Sequence, residues 1–212
     1  MADNREDVAA RSRAREAATV AGPPRIAALT PEAYPQEILA LTAKIDIAAG
    51  IEPDPTRVAS DWLATVMRHP KLFAPHSELA VVLMSGGLLS DRDRELAVLR
   101  TGWLCQAPYE WSAHVELGHR IAGLTAQEVE WVTIGSAAPG WGAHDRAVLR
   151  AVEEYLADAM ISDATWAVLA KTWDDARFLE LPILVGQYLG VAFLQNSLRI
   201  PLAPGYQGLF AR

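Results

Sequence analysis

Glu95, Glu110 and His114 are the residues whose types and spacing suit proton transfer. Glu110 and His114 are four positions apart, so on a helix they share a face, and Leu117 and Ile121 continue it. Glu95 sits beside Leu96 and one turn before Leu99, close to an apolar stripe. A histidine titrates near ~6.5 and can give or take a proton at neutral pH. A neighbouring carboxylate favours its charged form and fixes its orientation. A second carboxyl in an apolar cleft is driven towards its protonated state and can serve as an acid. The same residues also admit a structural account. Glu110 in a first turn complements the helix dipole, a Glu–His pair four apart occurs on many surfaces, and Glu95 could pair with Arg92.

The neighbours supply candidate binding groups. Tyr109 carries a hydroxyl able to donate to a carbonyl or carboxylate. Trp103 and Trp111 could line a substrate or fill the core. Arg100 is the expected cation for a substrate carboxylate. Cys105 is the only cysteine, which excludes an intrachain disulfide and a thiolate metal cluster. It is inert if buried, and reactive only if its pKa is depressed. His119 follows His114 by five and points away from it, while His69, His76 and His144 lack acidic or cysteine partners at metal-binding spacing. No glycine-rich phosphate loop or GxSxG occurs. Neither a metal nor an organic cofactor is expected.

These residues must be placed by helices, because no alternating run with hairpin turns occurs. The pattern predicts helices over 34–49, 56–68 and from Pro70 to the Gly86-Gly87 stop. Ser90 caps the next, Pro108 opens another that ends near Gly123, and Thr125 with Glu128 forms a capping box. A loop over 135–142 leads to a helix over 144–160 and a shorter one capped by Ser162. The last helix covers 174–196, with a kink or break at Pro182. Residues 1–22, rich in Ala, Arg and acids and without aromatics, are expected to form a flexible arm or one that packs on a neighbouring subunit. Residues 23–212 form a single all-α domain. The net charge of -7 argues against nucleic-acid and acidic-lipid binding. No apolar window reads as a membrane span and the first residues do not read as a signal peptide, so a cytoplasmic location is expected.

The run LLSDRDRELAVLRTGWLCQAPYEWSAHVELGHRIAGLTAQEVEWV resembles the carboxymuconolactone decarboxylase family, which includes alkylhydroperoxidase D-like proteins. RELAVLR, YEW, His114 and the AGLT turn carry the resemblance, which extends over roughly residues 35–202. It implies a compact multi-helix bundle that assembles as a homo-oligomer, often a trimer or hexamer, with the active site on the central helix pair. In the peroxidase branch a glutamate, a Cys-x-x-Cys pair and a histidine form a proton relay. Glu95 and His114 match the glutamate and histidine, whereas the two thiol positions fall on Ala107 and Glu110. The resemblance therefore implies the branch without the thiol pair: a cofactor-independent, lyase-type enzyme acting on a small organic acid, lactone or enolisable carbonyl compound. His114 would be the acid or base, Glu95 its partner and Glu110 the second carboxylate. A peroxide reductase using Cys105 with an external thiol, and a noncatalytic binding or assembly protein, are the alternatives.

Overall fold

The computed structural model describes residues 2–48, 50–52, 54 and 58–212. Its helices are α1 (Ala2–Thr19), α2 (Gln36–Ala48), α3 (Asp61–Val66), α4 (Pro70–Val81), α5 (Asp91–Leu104), α6 (Pro108–Ile121), α7 (Ala126–Ile134), α8 (Ala143–Asp158), α9 (Asp163–Leu169) and α10 (Asp175–Leu198). No strand occurs among the described residues. The local chemistry at the helix ends is as the sequence indicates. Ser90 accepts from the Asp93 amide, Thr125 and Glu128 form a reciprocal capping box, and Ser162 accepts from Thr165.

Three boundaries differ from the sequence pattern. The third helix is confined to Asp61–Val66 behind a Ser60 cap, and part of the expected 56–68 segment lies outside the described residues. The helix from Pro70 changes to π geometry over Val82–Gly86. Pro182 does not end the last helix, which runs on through it to Leu198. That helix is also long and apolar enough to cross a membrane, contrary to the sequence expectation, but half of its most apolar window is buried in the protein, as in a core helix.

Residues expected to be a loose arm contain α1. Its Arg15 donates to the carbonyls of Gln106 (3.0 Å) and Cys105 (3.3 Å), and Glu16 accepts from the Leu209 amide. These contacts tie it to the α5–α6 turn and to the C-terminal tail of the same chain.

The main core gathers Leu96, Leu99, Val115, Val148, Val152, Leu181 and Leu184 from α5, α6, α8 and α10. At its centre lies α5, whose residues from Asp93 to Trp103 are all buried. A second, smaller core of Tyr34, Ile38, Leu41, Ala64, Met67 and Phe73 lies among α2, α3 and α4. The site lies between the two.

Candidate active site

The α5–α6 hairpin sets the site. Cys105, Gln106 and Ala107 make the turn, with Gln106 in the left-handed region at φ 48° and the Ala107 amide bonded back to the Gly102 carbonyl. The turn runs the two helices antiparallel, so Glu95 on one side meets His114 on the other. His114 Nδ1 donates to Glu95 Oε2 at 2.7 Å, and Nε2 lies 3.2 Å from Glu110 Oε1. Glu95 is completely buried, and its other oxygen accepts from Arg94 Nε at 3.1 Å. Arg94 also pairs with Asp91 at 2.8 Å. Glu110 Oε2 accepts from Gln195 Nε2 of α10 at 2.8 Å. A continuous chain of charge-assisted bonds thus runs from Arg94 through Glu95, His114 and Glu110 to Gln195.

Burial opposes a charge on His114, but Glu95 and Glu110 outweigh it and raise its pKa to about 10. The ring is therefore an imidazolium at neutral pH with both N–H groups occupied. The Tyr188 ring meets its edge in a T-shaped contact with centroids 4.9 Å apart.

Glu110, His114, Tyr109, Tyr188 and Gln195 line a cavity of about 500 Å³. Its opposite side is formed by residues of α2, α3 and α4, including Ile45, Leu63, Met67 and Phe73, and the tail residues Ala203, Pro204 and Tyr206 contribute to the rim. Glu95 does not line the cavity and stands behind His114. Tyr109 has the Ser60 hydroxyl as a neighbour, and burial holds its phenol above the usual range, so it remains a neutral donor.

The other expected binding residues lie elsewhere. Arg100 is turned towards α7 and α8, where it donates to the Val132 and Thr133 carbonyls and pairs with Glu153 at 2.9 Å. Trp111 is fully buried, with its indole N–H on the Ala211 carbonyl and Trp103 tilted against it at 4.9 Å. Both tryptophans are core residues outside the cavity lining. Cys105 also lies outside the lining, and burial raises its thiol to about 11. Arg92 pairs with Asp145 at 2.9 Å and with Glu128, not with Glu95.

The lining residues not singled out from sequence for this site include His76, Gln187, Tyr188 and Gln195. Gln187 Nε2 donates to the His76 carbonyl at 3.1 Å, and burial lowers the His76 pKa and keeps that ring neutral. His144, which has no acidic partner at metal-binding spacing, has one in space, with Nε2 2.9 Å from Asp93 Oδ1. Among the described residues, no group of three His, Cys, Asp or Glu side chains is placed to hold a metal ion.

The stretch that carries Glu95, Glu110 and His114 also matches a family. Residues 70–154 match the model of the carboxymuconolactone decarboxylase family. The matched segment ends within α8, so the α10 residues of the cavity come from beyond it. A comparison with curated proteins found no match. Among solved structures, the chain resembles a peroxidase-related protein from Silicibacter sp. TM1040, with 17% identity, TM-score 0.69 and coverage of 87% of this chain and 94% of that one. It also resembles the debrominase Bmp8 in complex with 2,3,4-tribromopyrrole, with 11% identity, TM-score 0.68 and coverage of 84% and 91%. A protein of unknown function from Agrobacterium tumefaciens shows 20% identity and TM-score 0.58 over 64% of this chain and 93% of that one. At these identities the likeness is one of fold. The matched segment therefore lies in an all-helical fold that the chain shares with these solved structures.

Proposed function

We propose that this chain is a cofactor-independent acid–base enzyme of the lyase type, acting on a small organic acid, lactone or enolisable carbonyl compound. The observation that carries the reading is the buried relay of Glu95, His114 and Glu110, of which His114 and Glu110 line the cavity. The geometry favours a division of labour in which Glu110 meets the substrate. Both His114 nitrogens are occupied, so the imidazolium acts through Glu110, lending its Nε2 proton when Glu110 must be an acid and recovering it afterwards. Glu95 and Arg94 hold the far side of the ring and keep the relay near neutrality. Tyr109 would donate to an oxyanion formed on the substrate, and His76 offers a neutral imidazole on the α4 side as a proton acceptor.

Two observations weigh against thiol chemistry. The Cys105 pKa is raised, whereas a nucleophilic thiol needs it lowered. The thiol also lies outside the cavity lining. If the thiol pair of the peroxidase branch is aligned here, the second thiol position is Glu110, a carboxylate that contacts His114 directly.

The test is solvent-deuterium exchange at the acidic carbon of butenolides and cyclic keto acids, followed by NMR together with product formation. The native protein is expected to accelerate exchange or decarboxylation of at least one compound. Glu110→Gln should lower that rate by roughly 10²–10⁴-fold, the usual contribution of one positioned proton-transfer group. An unchanged rate in both Glu110→Gln and His114→Ala would remove the proposed chemistry.

A further inference from the structure

The last helix presents an uncharged face to solvent. Leu179 is 72% exposed, Ile183 52% and Phe193 59%, and Leu194 is exposed beside them. These residues recur at helical spacing, with Gly186 and Gly190 between them, and form one stripe along α10. From Leu181 to Leu198 the sequence has no charged residue. Glu180, just before that run, is turned to the Leu88 and Leu89 amides. A helix face open to water normally carries polar groups, and a long apolar one marks a contact surface. The two glycines point the same way. Glycine inside a helix costs about 1 kcal/mol relative to alanine. A Cβ at Gly186 or Gly190 would meet nothing within 4 Å in this chain. Nothing inside the molecule therefore requires either glycine, whereas the close approach of an outside helix would.

Spacing, charge and area point to a second copy of the chain as the occupant. Ile183 and Phe193 lie five positions either side of residue 188, and Gly186 and Gly190 two either side. Two such helices running in opposite directions set Ile183 on Phe193 and glycine on glycine at both ends at once. A two-fold contact requires this kind of self-complementarity. The helix ends agree in charge. Exposed Asp175 stands at the start of α10, and Arg199 caps its end, where exposed Arg25 donates to the Ser197 carbonyl at 3.1 Å. Antiparallel pairing brings each acidic end to a basic one, whereas parallel pairing would bring like to like. On the flank, α4 and the π segment after it run beside α10 in the opposite direction, tied by Gln187 to the His76 carbonyl and by Glu180 to the Leu88 amide. They add the exposed side chains of Leu79 and Val82. With a rise of about 1.5 Å per residue and a width of about 10–12 Å for each helix, two copies would cover roughly 1,000–1,200 Å². A specific interface needs about 1,000 Å². A lipid surface fits less well, because the stripe has no basic border at its Asp175 end and the chain carries a net charge of -7.

We propose that this face binds a second copy of the chain, with α10 antiparallel to α10 about a two-fold axis near residue 188 and Ile183 of each copy packed on Phe193 of the other. The contact is independent of the acid–base reading of the cavity, since none of its stripe residues lines that cavity.

Sedimentation equilibrium and light scattering measure the assembly. At about 20 μM the native chain should weigh twice its 23.0 kDa, or an even multiple of it. Ile183→Glu and Phe193→Lys should each weaken pairing at least about a hundredfold, because each buries an unpaired charge. The double variant Ile183→Glu/Phe193→Lys should regain the pair, because the new carboxylate of one copy then meets the new ammonium of the other. Within one chain the two positions are about 15 Å apart along the helix and cannot satisfy each other. Gly190→Glu guards against misfolding: its side chain enters open space and favours helix, and it should also lose the pair. A native chain that stays monomeric at about 100 μM, an odd-numbered assembly, single variants that remain paired, or a double variant that does not recover overturns the proposal. So does a monomeric native chain that binds phosphatidylcholine vesicles through Phe193, read as binding lost in Phe193→Lys.

Discussion

His114 concentrates the chemistry of the molecule at the scale of a single residue. It is a charged ring in a buried position, held on both sides by carboxylates. Removing it in His114→Ala leaves Glu95 and Glu110 facing a void with Arg94 as the nearest compensation, and the loss should be about 3–5 kcal/mol, as for other broken buried pairs. Urea denaturation measures it directly. The pH dependence has a definite sign. The folded-state pKa of His114 is raised from 6.5 to about 10, so its stabilising contribution is complete below pH 6.5 and is lost as the pH rises towards 10. The melting temperature of the native protein should therefore fall across that window more steeply than that of His114→Gln. Cys105 gives the opposite kind of expectation. With its thiol raised to about 11, it should react with iodoacetamide at pH 8 at least roughly tenfold more slowly than an unperturbed cysteine, as read by mass spectrometry.

At the scale of elements, α5 decides most of what the sequence did and did not reveal. Its caps and its hairpin with α6 were legible because capping and turn residues act over a few positions, as Ser90 and Pro108 do. The direction of its polar residues was not. The helix is buried on every side, so no polar face points to water and the amphipathic signal that orients a surface helix is missing. Each charge must instead find its own partner: Asp93 with His144 and Trp173, Arg94 with Asp91 and Glu95, and Arg100 with Glu153. Arg100, expected near the substrate, is accordingly committed to the α7–α8 side. Glu110 and His114 were readable because four positions on one helix guarantee proximity. Gln195 was not, since nothing local links it to a glutamate 85 positions away. The same packing makes Gly135 irreplaceable. It adopts φ 90°, and a Cβ there would collide with the Arg100 guanidinium and the Glu153 carboxylate. Gly135→Ala should cost about 2 kcal/mol or more in thermal or chemical denaturation, through both backbone strain and a disturbed ion pair.

The whole molecule consists of two hydrophobic cores of unequal size with the cavity between them. The larger holds α5, α6, α8 and α10 together, and with them the proton relay. The smaller holds Tyr34, Met67 and Phe73, which are also cavity wall. Resistance to local opening grows with the apolar surface an element buries, so the two walls should differ in how readily they loosen. The thinner side is then expected to open first, leaving the ion chain on the thicker side intact. Amide hydrogen exchange should thus run faster in α2, α3 and α4 than in α5 and α6. The vessel would breathe through one flank and keep its charged lining still.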